Sequence, residues 1–516
     1  RLKVPYTVLL VVAGLAVSLL LDGAPGLREH LEKIKLQPDL LLQLFLPILL
    51  FEAAFHVDLM SFLNNRRAIL LLAIPGVIIG MVLTTAVFVP VAILIRGHMD
   101  WQIGLVIAAM LAATDPISVV ALFKEFTVVK RLGIIIEGES LINDGVAVVL
   151  FGLVVKITAD SLGLTLPILQ GHAEEVKALQ VLVDFLREIF LGTAVGVAVG
   201  LAISYLTSKV NDHLIEVALT AIAAYGSNIA AIQLHASGVI AVVVCGMMIG
   251  NVGAKHGMSP TTREAVFSFW EFAAFMANSF VFILIGLEIK LAGLWADAGL
   301  IVAFFVIMIL VRGVTVFGAH KLVRREDLRL KKTWLPVITW SGVRGSLSMV
   351  LAMMLVATDE SGKTTRELIL NLVFGVVLLS ILLQGTTIEW LMKRVGLIGE
   401  TREEETEYHL ALARRQAIRC LVDDLESAEG KGILSHGTFE ILHGPLLDRR
   451  DANDKRIAAM LENTPSLNNI ELELHSTHLR ALEKQVYRDL EKEGDIDYDS
   501  MESLVRDVVE RDRPGG

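Results

Sequence analysis

Long apolar stretches recur through the first four-fifths of the chain. A helix needs roughly 20 apolar residues to cross the hydrocarbon core of a bilayer. Such stretches lie at about 5–21, 38–59, 67–95, 101–123, 132–157, 189–207, 213–233, 236–251, 265–289, 297–319, 333–357 and 366–392. Pro47 and Pro75 interrupt the second and third, which a helical bundle tolerates when neighbours satisfy the freed carbonyls. The sequence therefore predicts an all-α polytopic membrane protein with about 12 spans.

The charges divide the chain into two parts. Residues 1–400 contain 30 acidic and 30 basic residues, whereas residues 401–516 contain 26 acidic and 16 basic ones, so the net charge of -10 lies in the last part. We predict a transmembrane domain at 1–395 and an acidic, helical cytosolic tail at 396–516. The tail has amphipathic stretches near 407–425 and 469–492 and a charge run over 401–407. Its separate composition suggests a regulatory domain, whose ligand the sequence does not identify.

Basic residues favour one side of the predicted bundle. With the tail taken as cytoplasmic, the inside loops contain cations such as Arg66, Arg67 and Lys332, whereas the long outside loop 158–188 contains only Lys177 and Arg187. The positive-inside rule thus predicts an even number of spans with both ends of the sequence inside. We expect a multi-pass protein of the cell membrane, plasma or inner, in contact with its lipids. The first apolar run lacks a small-residue cleavage site, so we expect no signal peptide.

Several classes of protein are disfavoured by composition. A mean hydropathy of +0.62 is too high for an ordinary soluble protein of 516 residues. The two cysteines, Cys245 and Cys420, lie in different parts and indicate neither a disulfide framework nor a cysteine metal site. No basic patch with interleaved aromatic residues suggests nucleic acid. We expect no cofactor.

A carboxylate precedes a proline inside the fourth apolar stretch, in Thr114-Asp115-Pro116. Pro116 removes a backbone donor and biases Asp115 away from the helical region. A helix broken here would free carbonyls such as that of Thr114, as in the broken helices of secondary transporters. The alternative is a simple proline kink with a hydrogen-bonded aspartate.

The fifth stretch contains the richest polar segment, Gly-Glu-Ser-Leu-Ile-Asn-Asp-Gly at 138–145. On a helix, Ser140 and Asp144 share one face, and Glu139 and Asn143 share the next. An ionisable group inside a membrane costs roughly 2.5–3.5 kcal/mol on insertion scales, so it needs a reason. Hard cations prefer oxygen ligands of this kind. These residues are therefore candidates for ion binding rather than only for a polar network between helices.

Two arginines and one further carboxylate lie in apolar spans. A buried Arg344 requires an acidic partner, for which Glu139 and Asp144 are the candidates. If Glu139 takes it, Asp144 is left free to bind ions. Arg312 is expected to extend toward the inner surface along its own stem. Glu52 either lines the ion path or is protonated and hydrogen-bonded within the bundle.

These motifs together resemble the cation/proton antiporters of the electroneutral NhaP/NHE branch. The resemblance covers roughly residues 1–395 and rests on Asn143-Asp144 within its motif, Thr114-Asp115-Pro116 and Gly342-Val343-Arg344-Gly345. Phe374-Gly375 and the run Leu-Leu-Gln-Gly-Thr-Thr at 382–387 strengthen it. Thirteen helices are usual in this branch, so the first appears absent from this sequence. The tail resembles no family that we can name.

The resemblance implies an inverted-repeat fold in which a six-helix core moves against a dimerisation domain, hence a homodimer. It implies a second broken helix that crosses the first, at a position that the motifs do not fix. It also implies that Asp144 binds the ion with Asp115, Ser140, the Thr114 carbonyl and Glu52, and that Glu139 pairs with Arg344. Asn143 in place of a second aspartate is similar to the one-for-one exchangers.

The function predicted is exchange of Na+, or Li+ or K+, for H+. Ion and proton would compete for Asp144, and the metal site would comprise Asp144, Asp115 and Ser140. Two alternatives remain at this point. A cation channel gated by the tail would share the oxygen ligands without coupling to protons, and an intramembrane enzyme would use Asp115 and Asp144 as paired acids. No HExxH metal motif supports the enzyme.

Overall fold

The computed structural model describes residues 6–22, 41–116, 119–120, 122–123, 130–166, 178–210, 212–254, 257–288, 291–323, 330–397 and 400–463, with scattered residues between 479 and 504. It divides into two compact units, Arg1–Leu397 and Ile398–Gly516. The helices of the first unit are α1 (Tyr6–Asp22), α2 (Leu46–His56), α3 (Leu59–Ala73), α4 (Pro75–Arg96), α5 (Trp101–Met110), α6 (Lys130–Leu162), α7 (Ala178–Thr207), α8 (His213–Gln233), α9 (Gly238–Met248), α10 (Pro260–Glu288), α11 (Leu291–Ala296), α12 (Ala298–Leu322), α13 (Leu335–Trp340), α14 (Ser346–Met353) and α15 (Glu360–Arg394). Short π turns at Leu41–Phe45 and Ile249–Gly253 adjoin α2 and α9, and a 3₁₀ turn, Lys332–Trp334, precedes α13.

Each of the twelve apolar stretches overlaps a described helix, although the helix in 101–123 ends at Met110 and the stretch 333–357 contains two half-helices. Among the described residues, seven helices are long and apolar enough to cross a membrane, with α3 and α4 counted as one, and there are four shorter apolar helices. The prediction of an all-α polytopic membrane protein is confirmed. Pro47 and Pro75 both stand in the first turn of a helix, where a backbone N–H would lack a partner in any case. The span predicted to begin at 67 begins at Leu59, where the Asp58 carboxylate accepts from Ser61 N at 2.8 Å.

The first unit consists of two helix bundles. We call α1, α2 and α7–α10 the small-residue bundle, and α3–α6 with α12–α15 the broken-helix bundle. Within the first, α9 packs against α2, α7 and α8, and α10 packs against α1. Within the second, α4 packs against α12, and α6 packs against α3 and α5.

Backbone-to-backbone contact holds the small-residue bundle together. A Cβ added at Gly196 of α7 would lie 2.5 Å from the carbonyl oxygen of Ala241 on α9. One added at Gly250 would overlap the carbonyl oxygen of Phe55 on α2. Small residues at such positions let membrane helices approach closely and gain van der Waals contact, which is the main attraction available between helices in lipid.

Asn251 joins the two bundles where the chain passes from α2 to α3. Its Nδ2 donates to Val57 O at 2.8 Å and to Met247 O at 2.9 Å, and its Oδ1 accepts from Leu59 N at 2.9 Å. One buried amide therefore satisfies the backbone groups left at the end of one helix and the start of the next.

A two-stranded sheet closes the broken-helix bundle at the C-terminal end of α6. Strand β1 (Leu164–Thr165) pairs antiparallel with β2 (Val356–Ala357), with Leu164 opposite Ala357. Gly163 makes the turn into β1 with a φ of 59°, and its carbonyl accepts from Thr358 N at 2.8 Å. The sheet fastens α6 to the segment between α14 and α15.

The second unit contains the helical hairpin α16 (Glu400–Gly430) and α17 (His436–Asn463). Tyr408, Ala411 and Ile457 form its apolar contact, and Asn453 Nδ2 donates to Ala411 O at 2.9 Å. The predicted charge run and the stretch 407–425 both lie in α16. The second predicted amphipathic stretch, 469–492, lies almost wholly outside the described residues.

Candidate ion-binding site

Two broken helices meet at the centre of the broken-helix bundle. Helix α5 ends at Met110, and Pro116 O accepts from Val119 N and Val120 N at 2.8 Å as helical structure resumes. The break predicted at Asp115 is therefore present, and the simple kink is wrong. The second break, which the motifs did not locate, lies between α13 and α14. Asp115 N donates to Val343 O at 2.7 Å and joins the two breaks.

Gly345 allows the two breaks to touch. A Cβ at this position would lie 2.7 Å from the Asp115 Cγ and closer still to its Oδ2. Gly345 is also the residue that precedes α14, so the Asp115 carboxylate lies at the N-terminal end of that half-helix. The positive end of a helix favours a negative charge at this place.

Three carbonyls freed by the break in α5, those of Ala112, Ala113 and Thr114, receive side-chain donors. Arg344 Nη1 donates to Ala112 O at 2.6 Å and to Ala113 O at 2.9 Å. Asn143 Nδ2 also donates to Ala112 O, at 2.9 Å, and the Ser140 hydroxyl donates to Thr114 O. The Thr114 carbonyl therefore faces the interior, as expected. Its partner there is the Ser140 hydroxyl, which is itself predicted to bind the ion.

Asp144 contributes a buried oxygen without a hydrogen-bond partner. Among the described residues, nothing donates to its Oδ1, and the neighbouring Asn143 Oδ1 also lacks a donor. The Thr114 backbone lies within hydrogen-bonding reach of the Asp144 carboxylate. Buried acceptors are nearly always paired, so two unpaired oxygens beside a helix break are places where a cation or a proton would be stabilised.

The predicted pairing of Glu139 with Arg344 is wrong. Both Glu139 oxygens are taken by Arg312, whose Nη1 and Nη2 donate at 2.9 and 2.8 Å in a bidentate pair. Glu139 is thus fully occupied, and Arg344 instead holds the Ala112 and Ala113 carbonyls. The expectation that Arg312 extends to the surface is also wrong. It lies ten residues before the end of α12, about 15 Å along the axis, and its side chain is 10% exposed.

Comparison with known proteins gives the family. The family described as "Sodium/hydrogen exchanger, transmembrane" matches residues 1–394. The chain belongs to the sodium/hydrogen exchanger family. It is 33% identical to the Na(+)/H(+) antiporter ApNhaP of Aphanothece halophytica, over 98% of this chain and 92% of that protein. It is also 33% identical to the low-affinity Na(+)/H(+) antiporter NhaS1 of Synechocystis, over 98% of this chain and 90% of the relative.

The solved structures agree with this assignment at the level of the fold. The sodium proton antiporter MjNhaP1 of Methanocaldococcus jannaschii superposes with a TM-score of 0.61, at 18% identity, over 76% of this chain and 93% of that one. Sodium/hydrogen exchangers are transporters. The chain is therefore not an enzyme, and the intramembrane-enzyme alternative is dropped.

Glu52 stands apart from the other predicted site residues of this exchanger. It lies on α2 of the small-residue bundle, with a side chain 27% exposed. The His56 Nδ1 lies 2.8 Å from Glu52 O and 3.4 Å from its Oε1. The structure brings Asp115, Thr114, Ser140, Asn143 and Asp144 together around the first break, whereas Glu52 lies on a helix of the other bundle. Its contact with the ion stays a prediction.

The structure gives the family motif at 382–387 a role. Gln384 Oε1 accepts from the Ser380 hydroxyl, which in turn accepts from Arg344 N at 2.9 Å. Trp340 Nε1 donates to Thr387 Oγ1 at 2.9 Å. Helix α15 thus supplies a partner for the Arg344 N–H in the second break and for the Trp340 side chain that precedes the break. Sequence reasoning recognised the motif but not what it supports.

A cleft in the broken-helix bundle is lined by the two buried arginines but not by Asp115 or Asp144. It is bordered by α4, α5 and α12 and reaches the side chains of Arg312, Arg344, Met308 and Thr84. The cleft therefore does not include the two aspartates predicted to bind the ion.

Proposed function

We propose that this chain exchanges Na+ for H+ across a membrane, one for one, with both ions competing for Asp144. The observation that carries this proposal is the buried, unpartnered Asp144 oxygen next to the Ser140 hydroxyl and the Thr114 carbonyl. These three groups and Asp115 supply the hard oxygen ligands that a sodium ion prefers. The similarity to Na(+)/H(+) antiporters supports Na+, and Li+ or K+ would use the same oxygens.

The charges around the crossing support a stoichiometry of one. Asp144, Asp115 and Glu139 bring three negative charges, while Arg312 and Arg344 bring two positive ones. The site is left with a single uncompensated negative charge, which one sodium ion or one proton neutralises. Carrying the empty anion through a closed state of low dielectric constant is costly, so the empty carrier is held back and leak is suppressed. Asn143 is an uncharged amide. A carboxylate at this position would add a second negative charge, which would need a second cation to neutralise it.

An apolar cluster closes one route to Asp144. Val146, Val149 and Leu153, on the part of α6 that follows Asp144, pack with Phe185 of α7 and Ile240 of α9. We infer that the site opens toward the side of the membrane where α6 begins, which the positive-inside rule makes the cytoplasm. Exchange then requires the broken-helix bundle to move against the small-residue bundle until the other side opens.

The remaining expectations follow from this scheme as proposals. The second unit is cytoplasmic and adjusts the pH at which exchange begins, and its ligand is unknown. Two copies associate in the cell membrane through the small-residue bundle. That bundle presents large apolar side chains such as Phe190, Tyr205 and Leu214, which are more than half exposed and suit lipid or a second copy.

The test is Na+-induced proton flux in proteoliposomes at clamped voltage, with Asp144→Asn as the variant. Wild-type protein should move protons on addition of Na+ independently of voltage, and Asp144→Asn should abolish the flux while the protein stays folded. Asp100→Asn is the matched control, because this exposed carboxylate lies at the other end of α5 and caps no backbone group. Flux driven by voltage alone would favour the channel, and wild-type rates in Asp144→Asn would refute the mechanism.

A further inference from the structure

One side-chain hydrogen bond links the small-residue bundle to the crossing itself. The Ser346 hydroxyl, at the first residue of α14, donates to Asn278 Oδ1 of α10 at 3.2 Å. Both residues are 5% exposed. Ser346 directly follows Gly345, which packs against Asp115. Asn278 therefore reaches from one bundle to the part of the other that holds the ion-binding residues.

Asn278 is a polar exception on the buried face of its helix. Its neighbours on that face, Ala274, Ala277, Val281 and Phe282, are apolar and buried. A buried amide without a partner costs free energy, so the position needs a reason. Near Asp144 the bundles meet through apolar contact, as where a Cβ at Gly145 would lie 3.1 Å from Ile240. The Ser346–Asn278 hydrogen bond fixes the relative position of the two helices, because a hydrogen bond depends on orientation and apolar contacts do not.

We propose that Asn278 is a positioning residue that holds the broken-helix bundle in the described conformation through its bond to Ser346. This inference rests on the exchange mechanism proposed above. When one bundle moves against the other, α14 shifts along α10 and the bond is lost. It therefore stabilises only one of the two end states, the one open toward the beginning of α6. Asn278 is not one of the proposed ion ligands and acts by setting the population of that state.

The effect of removing the bond has a defined direction. A ligand's apparent affinity for a state falls in proportion to the fraction of protein in that state. Breaking the bond lowers the population open toward the beginning of α6, so apparent Na+ affinity weakens from that side relative to the other. A neutral hydrogen bond corresponds to a roughly three- to tenfold change in such an equilibrium. The ratio of the two apparent KM values should change by this factor, whichever state dominates in the wild type.

The experiment measures the apparent KM for Na+ from each face of oriented proteoliposomes. The variants are Asn278→Ala, Ser346→Ala and the pair. We expect each single variant to raise the KM ratio, first side over second, by roughly three- to tenfold, and the double variant to match a single one. Ser348→Ala is the control, because its hydroxyl is buried on the same half-helix and has no partner among the described residues. It should leave the ratio unchanged.

Two outcomes would overturn the inference. One is an unchanged ratio in Ser346→Ala, a variant that loses only an oxygen and whose folding is checked by size-exclusion chromatography. The other is additive effects in the double variant, which would show that the two side chains act separately. Absence of Na+-coupled proton flux in the wild type would instead refute the proposed exchange. A normal wild-type flux with an unmoved ratio would refute only the role of Asn278.

Discussion

The two bundles of the first unit solve the same problem in opposite ways. Helices in lipid must satisfy every backbone polar group and still attract one another. The small-residue bundle keeps its helices nearly whole and brings backbones together at positions such as Gly196 and Gly250. The broken-helix bundle opens two helices at its centre, and side chains such as Arg344 and Asn143 donate to carbonyls freed at the first break.

In our proposal, the small-residue bundle is the support and the broken-helix bundle contains the ion-binding site. Unbroken helices in backbone contact have few alternative packings, which suits the part against which another must move. Broken helices expose carbonyls and helix ends where ions bind, at the cost of importing charged side chains to neutralise them. If this division holds, damage to the first bundle lowers stability with little change in ion affinity, and damage to the second alters ion binding directly.

The largest expected effect concerns the buried pair Glu139–Arg312. Glu139→Gln leaves the Arg312 guanidinium unpaired in a water-poor interior, which costs about 3–5 kcal/mol of unfolding free energy. The melting temperature in detergent should fall sharply, and Na+-driven proton flux should fall with it.

The partner assignment is tested by rescue. Glu139→Gln combined with Arg312→Gln should recover most of the lost thermal stability, because no unpaired charge remains. The combination with Arg344→Gln should recover none, since Arg344 binds the Ala112 and Ala113 carbonyls instead. Rescue by Arg344→Gln would instead support the Glu139–Arg344 pairing that the sequence suggested.

Two glycine-to-alanine substitutions, one in each bundle, compare the effect of adding the same methyl group. In Gly345→Ala the new Cβ meets Asp115, and in Gly250→Ala it meets the Phe55 carbonyl. Overpacking of this kind costs about 1–3 kcal/mol at either place. Only Gly345→Ala should also weaken apparent Na+ affinity, measured as the KM for Na+ in proteoliposomes. Equal KM changes in both variants would erase the distinction between support and site.

Much of this comparison was accessible from sequence, for identifiable reasons. Span positions follow from apolar length alone, so all twelve stretches overlap helices. The break at Asp115 followed from Pro116, whose missing N–H is a local property. The second break has no proline, and its two glycines, Gly342 and Gly345, gave a weaker signal.

Charge pairing was harder because it is not local. Glu139 and Arg312 are 173 residues apart in sequence, and composition does not say which of two arginines faces a carboxylate. Arg312 was not considered as the partner of Glu139, because it lies close to the predicted span end at 319 and was expected to extend to the surface. In the structure α12 continues to Leu322, so Arg312 lies farther from the helix end than predicted. Asn278 gave no sequence signal at all, since a lone amide in an apolar helix has no motif.

The connection between the bundles should be weaker than either interior. Asn251→Ala removes three hydrogen bonds and leaves Leu59 N and Val57 O without the amide. We expect a loss of about 1–2 kcal/mol in unfolding free energy, because water reaches helix ends more easily than helix centres. Hydrogen exchange at residues 56–62 should accelerate while exchange within α6 stays unchanged. Thr193→Ala is a suitable control, because its exposed hydroxyl donates to a backbone carbonyl of its own helix, Ile189 O.

The smallest effect is expected in the second unit, where charges are exposed rather than buried. His436 Nδ1 lies 2.6 Å from a Glu429 oxygen, and this hydrogen bond, with the charges of Glu429 and Glu440, raises the pKa of His436 above 6.5. A raised pKa means that the pair stabilises the α16–α17 turn fully at pH values below 6.5. That contribution is lost as the pH rises through the pKa of the folded state.

Hydrogen exchange at residues 429–440 of the full-length protein should therefore be slower at pH 6 than at pH 8, after correction for intrinsic rates. His436→Gln should flatten this difference and leave residues 130–162 of the broken-helix bundle unaffected. A pH dependence that persists in His436→Gln would contradict the assignment to His436. Because the histidine side chain is 77% exposed, salt should weaken the effect, whereas salt should scarcely alter the buried Glu139–Arg312 pair.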